Sequence, residues 1–335
     1  MFKRLIIIIL TVVYFMFGAG KVRAQQTILS ISPPLLELFI KPGKSILIAY
    51  TLQNLGDPNI IKTKVMPFEP KGNLGNIEVK NEFSGPVRFN LDNSDIALEQ
   101  SFFLKTRGSQ QLLLRIRVPE GAPNGDYYYT LLAETEPPPA AEGIYSSGAK
   151  ATIGSNIIIT VTGSGNVDAV GKIALFDVLP RYKLSIMGKV IKIFDSNDPV
   201  PVVMYLENQG KNFIKPNGKI NLRGNFGETA EYEIVPKNVL AESQRLLVAT
   251  PSAQIDCNRK DKPDVFCEKP ISLLIKGFFL GKYQLTGSIV LGENGSTVTA
   301  STSYLALPLK FVFALAVALL VAFLVIKKVR SNQED

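Results

Sequence analysis

Ile46-Leu47-Ile48-Ala49-Tyr50-Thr51-Leu52-Gln53-Asn54-Leu55-Gly56 decides the fold class. Ile46, Ile48, Tyr50 and Leu52 alternate with Leu47, Ala49, Thr51 and Gln53, a period of two that puts one face of a strand on a core. The run closes in L-x-N-x-G, in which the Asn side chain can bond local backbone and the Gly can take a positive φ. Leu206-Glu207-Asn208-Gln209-Gly210 repeats this signature, preceded by Val202 and Met204 at the matching alternate positions.

A second signature follows each copy. Gly125-Asp126-Tyr127 recurs as Gly281-Lys282-Tyr283, 71 residues after Asn54 in the first copy and 73 after Asn208 in the second. Conserved order and near-conserved spacing read as one supersecondary unit used twice. A Tyr opening a strand just after a turn can set its ring at a sandwich corner, with the hydroxyl reaching the preceding loop. The structural repeat therefore comprises Leu52, Asn54, Gly56, Gly125 and Tyr127 in copy one, with Leu206, Asn208, Gly210, Gly281 and Tyr283 in copy two.

Around these signatures, Leu112, Leu114, Ile116 and Val118 alternate with Leu113, Arg115 and Arg117. Lys41-Pro42-Gly43, Asn124-Gly125, Asn217-Gly218 and Asn294-Gly295 supply turns. The expected class is all-β: two tandem immunoglobulin-like β-sandwiches, residues 25–165 and 166–304, meeting near Thr162-Gly163-Ser164-Gly165.

Both ends read as membrane segments. Residues 1–24 carry Lys3 and Arg4, the apolar run Leu5 to Phe17 and small residues ahead of Val22-Arg23-Ala24, the plan of a secretory signal peptide. Lys21 and Arg23 beside the cleavage site leave an uncleaved anchor as the alternative. Residues 305–326 are apolar apart from Pro308 and Lys310, long enough to span a bilayer. Lys327, Lys328 and Arg330 then place 327–335 in the cytoplasm and the bulk of the chain outside, a single-pass type I arrangement. Lys310 would snorkel to the outer headgroups. The residues before the helix contain no LPxTG, so a permanent helical anchor is expected.

Composition excludes several chemistries. The 335 residues contain no His, so Ser-His-Asp and Cys-His catalysis and imidazole metal ligation are ruled out. Two Cys cannot make a four-thiolate site. Of 37 Lys and Arg, four lie in residues 1–24 and three in 327–335, leaving 30 basic against 27 acidic residues between. That balance gives no footprint for nucleic acid. No cofactor motif is present. Cys257 and Cys267, both in the exported part, are expected to form a structural disulfide closing a short loop, with a redox-active pair as the alternative. Asp195-Ser196-Asn197-Asp198-Pro199 reads as an Asx-rich turn rather than a calcium site, since no companion acidic motif accompanies it. The Pro-rich stretch from Glu136 to Gly148 is a candidate contact loop or a solvated one.

The order of parts resembles the WxL-interacting surface proteins of Gram-positive bacteria. The resemblance rests on Leu38-Phe39-Ile40-Lys41-Pro42-Gly43, the L-x-N-x-G strand, Val118-Pro119 with Gly125-Asp126-Tyr127, a second sandwich, and a terminal helix with a basic tail. It implies a peptidoglycan-binding-like domain ahead of an immunoglobulin-like domain that meets partner surface proteins or host ligands. The cysteine pair and the Pro-rich loop have no counterpart in that pattern. The expected function is a non-enzymatic scaffold contacting cell-envelope polymer or another exported surface protein through sandwich edges and loops. The alternative is a carboxylate-dependent envelope enzyme such as a glycan hydrolase.

Overall fold

The structure, a computed structural model, describes residues 27–136, 150–165, 167, 169–251, 270–292 and 295–331, with side chains as far as Ile326. Strand makes up 56% and helix 7%, so the class is mostly β, and the described residues hold one helix, at their C-terminal end. The chain divides into two compact units. One comprises the chain up to Pro67 with Lys80–Pro123 and Tyr127–Val161; the other comprises Phe68–Val79, Asn124–Asp126 and the chain from Thr162.

Ten strands precede Thr162: β1 (Leu29–Ser32), β2 (Leu35–Ile40), β3 (Ser45–Asn54), β4 (Asn59–Lys71), β5 (Asn76–Val79), β6 (Arg88–Leu91), β7 (Ser101–Leu104), β8 (Ser109–Arg117), β9 (Gly125–Glu136) and β10 (Thr152–Val161). They form a four-stranded sheet, β1-β3-β8-β6, and a six-stranded one, β2-β10-β9-β4-β5 with β7 on β4. Pro33 and Pro34 explain how one N-terminal segment serves both sheets. Neither has an N–H for a ladder, so β1 stops and the chain crosses to pair β2 in parallel with β10. Ser155 Oγ–H donates to the Pro33 carbonyl at 2.7 Å.

The alternation in β3 and β8 becomes a core. Ile46, Ile48 and Tyr50 pair with Ile116, Leu114 and Leu112. The buried members of this set close on Ile61, Leu131, Ala133, Ile157 and Ile159 of the facing sheet. Each large side chain so buried stabilises the fold by about 1.5–3 kcal/mol.

The second set is β11 (Gly171–Val178), β12 (Tyr182–Ile186), β13 (Lys189–Asp195), β14 (Val200–Asn208), β15 (Asn217–Gly224), β16 (Thr229–Glu233), β17 (Gln244–Leu246), β18 (Leu273–Ile275), β19 (Gly281–Val290) and β20 (Thr297–Leu307). One sheet runs β11-β14-β17, with β18 also on β14; the other runs β12-β13-β20-β19-β15-β16. Val202, Met204 and Leu206 pack against Ile220, Leu222, Leu285 and Ile289. Gly287 makes the room for Met204, since a Cβ built there would lie 2.3 Å from its terminal methyl.

The terminal helix α1 spans Leu309–Ser331 and contains an 18-residue stretch, Leu309–Ile326, apolar enough to cross a membrane. Leu305 to Leu307, which the hydropathy run assigns to that segment, belong instead to β20. Tyr304 and Ala306 are buried in the sandwich core, so period two persists to Leu307. Pro308 then ends the ladder and opens the helix, with the Val312 N–H donating to its carbonyl at 2.9 Å.

Candidate binding surfaces

The two L-x-N-x-G segments sit at equivalent places, ending β3 and β14, and their Asn side chains act alike. Asn54 Nδ2 donates to the carbonyls of Asp57 (2.6 Å), Leu104 (3.2 Å) and Lys105 (3.3 Å), while Oδ1 accepts the Gly56 N–H at 3.0 Å. Asn208 Nδ2 donates to Asn212 (2.8 Å), Val239 (3.1 Å) and Leu240 (3.0 Å), and Oδ1 accepts the Gly210 N–H at 2.9 Å. Each buried amide fastens its own strand end to a distant loop. Leu52 and Leu206 are fully buried beside them. Positive φ falls at Gly125 (143°) and Gly281 (90°) rather than at Gly56 and Gly210, whose part is to bring an N–H to the Asn oxygen.

Tyr127 Oη–H donates to the Pro123 carbonyl at 3.0 Å, four residues back. Tyr283 Oη accepts the Leu280 N–H at 3.2 Å and donates to Glu228 Oε1 at 3.2 Å. The Tyr283 ring is buried, stacked on Tyr304 at 5.3 Å and edge-on to Phe279 at 5.4 Å. Both tyrosines brace loops.

One surface that departs from a closed sandwich is the β12–β13 hairpin. Its two-residue turn, Met187-Gly188, has both φ values positive (48° and 77°), the geometry that matches the right-handed twist of flanking strands. Pairing Tyr182↔Ile193 and Leu184↔Ile191 gathers, with Ile186, an apolar stripe that ends at Lys189 on one face, and Lys183↔Lys192 lies on the other. Every residue of β12 is exposed, and among the described residues no strand pairs with its outer edge. β13 is held from behind: Lys192 pairs with Asp177 of β11, and Thr302 of β20 bonds both, to Asp177 Oδ1 at 2.9 Å and Lys192 Nζ at 2.9 Å. Partial burial resists ionisation of Asp177, but Lys192, Thr302 and the Val178 N–H together hold its carboxyl below the usual carboxylate range. Sequence reading missed this hairpin, because Met-Gly is not one of the Asn-Gly, Asp-Gly or Gly-Gly pairs that mark a two-residue turn, and β12 buries no side chain.

Asp195-Ser196-Asn197-Asp198-Pro199 forms a turn closed by the Asp198 N–H on the Asp195 carbonyl at 3.0 Å. Lys310 Nζ lies 2.7 Å from Asp195 Oδ2 and 3.4 Å from Asp198 Oδ1, so the cation expected at the headgroups is tied to this turn. Lys310 holds the Asp195 carboxyl below the usual range. No cluster of three metal-ligating side chains occurs among the described residues. Asp92, Glu134, Asp177, Asp195 and Glu207 are all shifted downward, chiefly by their Lys and Arg partners or by Gln209. Cys257, Cys267, the signal segment, nearly all of the Pro-rich loop and residues 332–335 lie outside the described residues.

No protein-family model matches the chain, and no curated protein matches it. Solved structures that match include several bacterial chaperones. They include the YadV chaperone, 10% identical over 82% of this chain and 98% of that one with a TM-score of 0.35. The E. coli chaperone DraB is 11% identical over 82% and 96%, with a TM-score of 0.35. A Salmonella enterica SafA pilin in complex with the SafB chaperone matches at 9% identity over 84% and 99%, with a TM-score of 0.36.

Proposed function

We propose that this chain is a non-enzymatic, membrane-anchored scaffold at the cell surface. In this reading two tandem immunoglobulin-like domains lie outside the membrane, and the second binds an extended segment of another exported protein by strand addition to β12. The observation that carries it is the open β12 edge, which offers unpaired backbone groups beside the apolar side chains of Tyr182, Leu184 and Ile186. A fitting partner strand alternates apolar residues, facing that stripe, with acidic ones facing Lys183. The terminal helix with its basic tail supports anchoring with the bulk outside. The resemblance of the sequence to the WxL-interacting surface proteins agrees with a surface partner.

The test is capture from envelope extracts with the full chain and with a Leu184→Glu/Ile186→Glu variant, whose substitutions touch only exposed positions. A protein retained by the parent and depleted about tenfold or more by the variant supports the reading. Equal retention by both, with unchanged circular dichroism, would overturn it.

A further inference from the structure

The helix leaves no slack between the bilayer and the second unit. Between Lys310 and Lys327 the apolar run Phe311–Ile326 gives about 24 Å of helix against a hydrocarbon core of about 30 Å, so Leu309 must lie at the boundary of that core. Leu307 is still paired in β20, and Pro308 alone separates strand from helix. Whatever side chains share this end of the sandwich with Leu307 therefore lie at headgroup level.

Strand register identifies them. Gly281 pairs with Ala306, which places the start of β19 beside the end of β20. Gly224 pairs with Tyr283, which brings the β15–β16 turn to the same end, about two strand spacings or 10 Å across. The Asn225 N–H donates to the Lys282 carbonyl at 3.1 Å, and the Phe226 ring lies 3.2 Å from where a Cβ on Gly281 would stand. On the other side the Phe279 N–H donates to the Ser196 carbonyl, and the Ser196 N–H donates to that of Leu307. Phe279 is buried, and its neighbours turn outward: Phe278 is 64% exposed, Leu280 41% and Phe226 72%. Exposed Lys276 and Lys282 flank them.

Three large apolar side chains, from two loops 52 residues apart in sequence at Phe226 and Phe278, thus converge around the helix entry with cations beside them. Apolar chains edged by lysines match a bilayer interface, where rings enter the acyl boundary and ammonium groups meet headgroup phosphates. We propose that Phe226, Phe278 and Leu280 form a lipid-binding site that seats the second unit on the membrane its helix crosses, a claim that rests on the anchored reading above. With Lys310 tied to Asp195 and Asp198, the unit is then held at two places and does not swing on a tether.

The chain contains no Trp, so a single introduced indole reports its own surroundings. Full-length Phe226→Trp, Phe278→Trp, Phe39→Trp and Val317→Trp variants are reconstituted in phosphatidylcholine vesicles, with and without bromines on the acyl chains. Phe39 serves as an exposed reference in the first unit and Val317 as one within α1. Bromination should lower the emission of the Phe226→Trp and Phe278→Trp variants by about half or more and leave Phe39→Trp unchanged. Quenching of Val317→Trp with none in Phe226→Trp or Phe278→Trp overturns the lipid site and leaves the anchor standing. No quenching of Val317→Trp overturns the anchor, and the lipid site with it.

Discussion

Asn54 and Asn208 show how much a single side chain can settle. Each amide is buried, serves three carbonyls and receives one N–H, so truncation leaves polar groups in a dry interior without partners. Asn54→Ala and Asn208→Ala should each lower stability by about 2–4 kcal/mol, read as a lower urea midpoint for the unit concerned. Asn208→Asp should be no better, because a carboxylate cannot donate to carbonyls. Tyr50 carries a pH signature. Burial pushes its hydroxyl from 10.0 up to about 12, so its contribution is intact below pH 10 and lost as pH rises through 12. The full loss is about 3 kcal/mol. Tyr50→Phe should remove about half of the fall in first-unit stability across that window, because burial also pushes Tyr129 up to about 12, as followed by denaturant titrations at stepped pH.

At the scale of elements, the β12–β13 hairpin depends on a polar clasp rather than on a core. Lys192→Met leaves the half-buried Asp177 carboxylate without its cation. The expected cost is about 1–3 kcal/mol at neutral pH, discounted from fully buried pairs for partial exposure. Because the folded Asp177 titrates below its ordinary value, the pair stabilises above about pH 4, and its contribution disappears as pH falls through the lower folded value. The gap between parent and variant should therefore shrink on acidification. Hydrogen exchange at Tyr182–Ile186 should quicken in the variant before that of β19 and β20. Unchanged protection in β12 would mean that backbone pairing alone holds the hairpin.

For the whole molecule, the charge pattern after the helix sets the expected orientation. Protease added to intact cells should remove the bulk of the chain and leave an epitope on residues 327–335 protected. Loss of the tail epitope with an intact bulk would reverse the topology. Much of the strand pattern and the apolar helix was legible beforehand, because the signals are local. Period two in β3 and β8 needs only neighbours along one strand, and an uninterrupted apolar run announces α1 without any tertiary context. The β12–β13 hairpin was not legible, since strands that bury little carry no core stripe. The lipid-facing trio was invisible for a different reason, because no local pattern links Phe226 to Phe278.

By itself the sequence determined the β class, the twice-used Asn and Tyr signatures and the apolar terminal span, all written in side-chain periodicity and short-range hydrogen-bonding capacity. Only the tertiary structure decided where β20 yields to α1, because Leu305 and Leu307 are as apolar as a membrane helix requires and core packing of Tyr304 and Ala306 claims them for the strand. It also decided that β12 stays an open edge and that Phe226, Phe278 and Leu280 share one end of the second sandwich. Both outcomes come from strand order and register, which join residues far apart in the chain through backbone hydrogen bonds that no single segment encodes.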